Sequence, residues 1–102
     1  MINQHIVYEA DATRYEISVM EIRNPKSDYD YQFVVSLVNF GKCFFESNLN
    51  FIAEAVYHKN DLFAPIDCVN IQNAIAQHIR GIEVREVEFD YNSRQFKYKS
   101  VA

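Results

Sequence analysis

A chain of 102 residues, 49% hydrophobic and 24% charged, is long enough to bury one core, too short for a second lobe, and far in composition from disordered chains. Its net charge of −4 argues against sequence-independent nucleic-acid binding, which needs Lys and Arg to neutralise phosphates. Its two glycines, Gly41 and Gly81, exclude the glycine-rich phosphate cradles of Walker and Rossmann nucleotide sites.

The N-terminal residues 1–9 lack a basic stretch followed by an apolar run, and no segment approaches the length of a membrane span, so neither export nor membrane insertion is expected. The first strands form a hairpin. A four-residue loop at 10–13 sets Glu9 against Arg14, Tyr8 against Tyr15 and Ile6 against Ile17, a register that a one-residue slip would destroy. In the second strand the apolar phase moves from Tyr15, Ile17 and Val19 to Met20 and Ile22, which predicts a β-bulge near its middle. Asn24-Pro25 ends that strand, and residues 24–30 read as a polar loop.

Tyr31, Phe33, Val35 and Leu37 alternate along a third strand. A three-residue turn at Asn39-Phe40-Gly41, with Gly41 left-handed, sets Leu37 against Cys43 and Val35 against Phe45. A first helix is predicted from Ser47 or Asn48 to about Asn60, with Leu49, Ile52, Ala53 and Val56 inward. A second follows with Asp67 as its N-cap, Ile66 and Ile71 as a hydrophobic staple, and Gly81 just past its end. Ile71, Ala74, Ile75, His78 and Ile79 share its inward face, and Pro65 separates the two helices. In the last hairpin, turning at Asn92-Ser93, Phe89 faces Phe96 and Val87 faces Tyr98 inside, while Glu88 faces Lys97 and Glu86 faces Lys99 outside.

The expected fold is therefore one α+β domain over residues 1–102, in the order ββββααββ. It is expected as a single-layer antiparallel sheet of about six strands with two helices packed on one face.

Chemistry-bearing motifs are sparse. Glu54 and His58 share a helix face, but two ligands do not make a metal site, and the pair reads as an exposed i,i+4 contact. His5 lies on a strand without partners, and His78 reads as a hydrogen-bonded core residue. Cys43 and Cys68 lack CxxC spacing and read as buried free thiols. Cys68 opens the second helix, where the dipole lowers a thiol pKa and Asp67 opposes that effect; His58 is its one conceivable base. Arg94-Gln95-Phe96-Lys97-Tyr98-Lys99 interleaves basic and aromatic residues, yet strand alternation sends the rings inward and the lysines to the glutamates.

Two features point to recognition. Asp28-Tyr29-Asp30, in the longest polar connection, offers tyrosine contact area flanked by carboxylates suited to a basic partner. Val34, Val38 and Phe44 are out of phase with the inward residues of their strands, so they mark an apolar second face that a two-fold dimer would bury. The chain is thus expected to be a small cytoplasmic interaction or regulatory domain that self-associates as a homodimer, with no cofactor and no metal. The alternatives are a nucleic-acid-binding domain using the basic C-terminal strand, and a small enzyme whose site carries no familiar motif. If Lys97 and Lys99 are occupied by glutamates, neither duplex nor single-stranded nucleic acid is bound at physiological salt. Fluorescence anisotropy checks this, and salt-sensitive micromolar binding lost in the Lys97→Glu, Lys99→Glu variant would show the opposite.

Overall fold

The computed structural model describes residues 3–37, 41–48, 52–59 and 63–99. Its elements are β1 (Asn3–Ala10), β2 (Thr13–Glu21), β3 (Tyr31–Leu37), β4 (Gly41–Ser47), α1 (Ile52–Lys59), α2 (Pro65–His78), β5 (Val87–Asp90) and β6 (Gln95–Tyr98). The class and element order are as the sequence predicts. The sheet is not. The strands form two antiparallel sheets, a four-stranded meander β1-β2-β3-β4 and a separate hairpin β5-β6.

The meander follows from strict alternation. Tyr15, Ile17 and Val19 of β2, Phe33, Val35 and Leu37 of β3, and Cys43 and Phe45 of β4 are all buried on one face. Phe33 and Phe45 stack at a centroid distance of 5.0 Å. Against that face pack Ile52, Ala53 and Val56 of α1 and Ile71, Ala74 and Ile75 of α2. The β1/β2 register is the expected one, with Tyr8 opposite Tyr15 and Ile6 opposite Ile17. Its loop is tighter than expected: Ala10 pairs with Thr13, leaving Asp11 and Ala12 as a two-residue turn with φ of 52° and 58°.

The predicted bulge in β2 is absent. Pairing runs unbroken on both sides of the strand, and Met20 simply takes the outward position that alternation assigns it. Between β3 and β4 the pairing is Val35 with Cys43 and Phe33 with Phe45, because Leu37 pairs with Gly41 itself. The pairing is thus displaced by two residues from the predicted register, which preserves the inward face because side chains alternate with a period of two. Gly41 has φ of 104°, where a side chain would be strained.

Helix boundaries differ for local reasons. Ser47 ends β4 and Asn48 caps a loop, so neither starts α1, and Leu49 lies outside the described residues. Pro65 begins α2 at its first turn, where a missing N–H costs nothing. Asp67 is therefore not the N-cap. It sits in the first turn and accepts a hydrogen bond from the backbone N–H of the N-cap residue Ala64 at 3.1 Å. His78 is exposed rather than a core residue and packs its ring 5.7 Å from that of Tyr8.

Why the sheet splits is visible in α2. Asn73 Oδ1 accepts the backbone N–H of Val87 at 2.8 Å, and Asn73 Nδ2 donates to the Val87 carbonyl at 3.2 Å. One amide thus supplies what a neighbouring strand would. Gln72, fully buried, accepts the N–H of Ala53 at 2.8 Å and donates to the Arg85 carbonyl at 2.9 Å. Gln77 donates to Glu86 at 2.9 Å. The hairpin therefore docks on the helices, and Tyr57 of α1 meets Phe89 and Phe96 at 6.1 and 5.5 Å. The hairpin register is the expected one, including Glu88–Lys97 at 3.7 Å and Glu86–Lys99 at 3.8 Å. Its turn is longer than predicted, with Asp90 opposite Gln95 and the Asp90 carboxylate accepting the N–H groups of Asn92 and Ser93. Those bonds lower the Asp90 pKa. Phe89 and Phe96 are half-buried rather than fully enclosed.

Among the described residues no buried side-chain nitrogen or oxygen lacks a partner. Asn73→Ala leaves both polar groups of Val87 without their amide, so unfolding stability falls by about 2–4 kcal/mol, whereas Gln77→Ala on the exposed side costs under about 1 kcal/mol. Urea unfolding with a constant slope checks both.

Candidate functional site

The helices cover one face of the meander and leave the other open. Alternation sends Asn3, His5, Val7 and Glu9 of β1, Arg14, Glu16, Ser18 and Met20 of β2, Gln32, Val34 and Ser36 of β3, and Lys42, Phe44 and Glu46 of β4 outward. Register aligns them in rows. Ser18, Val34 and Phe44 lie side by side, and His5 joins the row at the β1 edge. His5 Nδ1 and Ser18 Oγ are hydrogen-bonded at 2.7 Å, and His5 Nε2 lies 4.0 Å from Glu16. Three large apolar side chains stand in solvent on this face: Phe44 at 54% exposure, Val7 at 48% and Met20 at 45%.

Val34 and Phe44, predicted as a recognition pair, are thus brought directly opposite each other. Val34 is half-buried among its neighbours, and Val38 lies outside the described residues. The outer row of β3 holds Gln32 and Ser36 beside Val34, so its second face is mixed rather than apolar throughout. Met20 escapes the sequence reading because a bulge near the middle of β2 would turn it inward, and Val7 is not singled out there. Plain alternation from Tyr15 would have found Met20.

The loop bearing Asp28, Tyr29 and Asp30 is tied down at the end of β4. Asn48 Oδ1 accepts the N–H of Asp30 at 2.8 Å, Asn48 Nδ2 donates to the Asp28 carbonyl at 3.4 Å, and Ile22 N–H donates to the Asp30 carbonyl at 2.8 Å. All three loop residues are exposed, Tyr29 at 46%. The neighbouring Tyr31 hydroxyl has a raised pKa, first from burial and then from the Glu21 and Asp30 carboxylates.

A second concavity, of about 440 Å³, opens between α1 and the start of β6, lined by Glu54, Tyr57, His58, Arg94, Gln95 and Phe96. Glu54 and His58 approach to 3.7 Å as the expected i,i+4 pair, both more than half exposed. Among the described residues that line it, the Tyr57 phenol is the one hydroxyl, and there is no thiol.

The thiol chemistry lies elsewhere and is sealed. Cys68 is fully buried, and burial followed by the adjacent Asp67 charge pushes its pKa up to about 12. The helix N-terminus does not overcome that combination, and the exposed His58 is not its base. Asp67 instead takes the Tyr15 hydroxyl at 2.6 Å, while Asn70 Nδ2 donates to that hydroxyl at 3.0 Å and to Asp11 at 2.8 Å. These contacts join the β1/β2 turn to α2. Burial leads the causes that raise the Tyr15 pKa, so the group serves as a neutral donor. Among the described residues, no group of three His, Cys, Asp or Glu side chains could hold a metal ion. No helix there is long and apolar enough to cross a membrane.

No protein-family model, curated protein or solved structure matches the chain.

Cys68 folds as a neutral thiol, whereas an unfolded thiol ionises near 9.0. Its contribution to stability is complete below about pH 9 and is lost as pH rises towards about 12. At neutral pH iodoacetamide should leave folded Cys68 unmodified and alkylate it in denaturant. Mass spectrometry reads the difference, and rapid native labelling would mean an opened, reactive thiol.

Proposed function

We propose that this chain is a small non-enzymatic protein-interaction domain that works through the uncovered face of its four-stranded sheet and associates first with itself. The observation that carries the reading is Phe44, half exposed in the middle of an outer strand and directly opposite Val34. Burying the rest of that ring in an interface contributes about 1 kcal/mol per copy. A folded chain keeps such a residue outward at a cost in solubility, which an interface recovers. Met20 and Val7 are exposed on the same face, on β2 and β1, with Ser18, Gln32 and Glu16 among them.

Other features fit. Neither cysteine is in a disulfide, as suits a reducing, cytoplasmic setting. Docking of β5-β6 on the helices supports one folded unit over the chain, and the radius of gyration of 13.1 Å is that of a single domain this size. The exposed Asp28-Tyr29-Asp30 loop supplies an acidic margin for a basic partner surface. Pairing of Lys97 and Lys99 with glutamates weakens the nucleic-acid alternative.

Neither Val34 nor Phe44 belongs to the buried cluster. Val34→Asp and Phe44→Asp should therefore change stability by less than about 1 kcal/mol while weakening association. Circular dichroism and sedimentation equilibrium separate the two effects. Association that persists unchanged in both folded variants would move the interaction to another surface.

A further inference from the structure

The concavity between α1 and β6 shares no described lining residue with the outer face of the meander, so what it holds is independent of how that face is used. Two of its lining residues are aromatic. Tyr57 meets Phe96 edge-on at 5.5 Å, and both rings are half-buried, so each keeps part of its surface for a further ring. Opposite charges come from different elements. Glu54 and His58, 3.7 Å apart, stand on α1, and the Arg94 guanidinium comes from the turn before β6.

Arg94 is held there against the preference of its backbone. It is the last residue of the turn between Asp90 and Gln95 and has φ of 58°, in the left-handed region where glycine or asparagine is the ordinary occupant. The Asp90 carboxylate fixes the same turn through the N–H groups of Asn92 and Ser93. An easy turn alone asks for glycine at this position. Instead a long cation stands there, exposed beside the cavity, and it enters no ion pair among the described residues. Strained backbone of this kind collects at ligand-binding positions.

We infer that this concavity binds a small aromatic carboxylate, with the carboxylate on the Arg94 guanidinium and the ring against Tyr57 and Phe96. A guanidinium presents paired N–H donors that match the two oxygens of a carboxylate. The volume of about 440 Å³ lies in the range of small-ligand sites and takes a body of about one or two rings. Glu54 sets the orientation, because its charge repels the anionic end and leaves the ring on its side of the cavity.

Other occupants fit less well. A cation would turn to Glu54, which already has His58 beside it, and would meet the Arg94 charge. A bare inorganic anion would leave both rings unused.

The probe is 2-naphthoate, with the neutral 2-naphthamide as its comparison, each titrated into the whole chain and followed by nitrogen–proton correlation spectra. Naphthoate should bind with a dissociation constant of about 0.1–1 mM and shift the backbone amides of His58, Arg94 and Phe96. Naphthamide should bind about tenfold more weakly. Arg94→Gln should weaken naphthoate about tenfold and leave naphthamide unchanged, whereas Glu54→Gln should strengthen naphthoate about two- to threefold. Arg94→Gly separates binding from folding. Glycine suits the left-handed backbone, so the urea midpoint should hold or rise while naphthoate binding falls by the same factor. Equal binding of acid and amide, or naphthoate binding that survives either change at Arg94, overturns the proposal. So do shifts centred on Phe44 and the outer face, or no binding up to about 10 mM.

Discussion

Gln72 and Asn73, adjacent on α2, hold the second half of the fold to the first. Through Gln72 the first turn of α1 finds an acceptor for the Ala53 N–H, a group that no residue of its own helix can satisfy. Through Asn73 the start of β5 is paired as if a strand ran beside it. A backbone ladder repeats, so it fixes direction but tolerates slippage. A single amide gripping one residue from both sides fixes position as well. The hairpin is consequently registered on the helix by one residue, and the aromatic contacts of Tyr57 with Phe89 and Phe96 complete the docking around that point. Gln4 repeats the device, donating to the Arg80 carbonyl at 2.7 Å and fastening the chain beyond α2 to β1.

This arrangement decides which surfaces remain for partners. Because α2 is engaged by the meander on one side and by the hairpin on another, its residues from Asn70 to Ile75 are all buried, whereas α1 keeps Glu54 and His58 exposed. Among the described residues, the outer side of the meander and the concavity between α1 and β6 stay open. The titratable groups divide the same way. Burial raises the pKa values of Tyr15, Cys68 and Tyr31, of which the first two lie in the core, while His5 and His58 sit beside carboxylates in solvent. On the outer face of the meander the His5 ring and the Ser18 hydroxyl are hydrogen-bonded, with Glu16 beside the imidazole.

Much of this was legible from residue alternation. Tyr8 with Tyr15, Phe89 with Phe96, and the two lysine–glutamate pairs are properties of local register, and period-two patterning specifies them wherever one face is buried. How the last hairpin joins the rest was not legible, because it depends on side-chain amides that propensity rules treat as surface groups. One signal was present. From Cys68 to Ile79 the chain has no Asp, Glu, Lys or Arg, and a helix with a solvent face rarely lacks charge for that length. Asn70, Gln72 and Asn73 are polar yet buried, and the missing charges were the trace of it. Of the outward apolar residues, Val34 and Phe44 were found by phase, whereas Met20 was hidden by a bulge invoked to explain an apolar residue that is in fact exposed.

The turn between β1 and β2 has a bearing on how the chain reaches this structure. Asp11 and Ala12 both occupy the left-handed region without a glycine or asparagine to ease it, at roughly 1–2 kcal/mol for each residue. The hydrogen bond from Asn70 to Asp11 holds the turn from a distance of 59 positions along the chain. The tightest local hairpin of the meander is therefore also one whose turn is not self-supporting. Such a turn shifts the early part of folding away from the N-terminal hairpin and towards the β2-β3-β4 core, with β1 closing onto the sheet when α2 arrives. In a chain emerging from the ribosome, the first hairpin to be made would then be among the last to be secured.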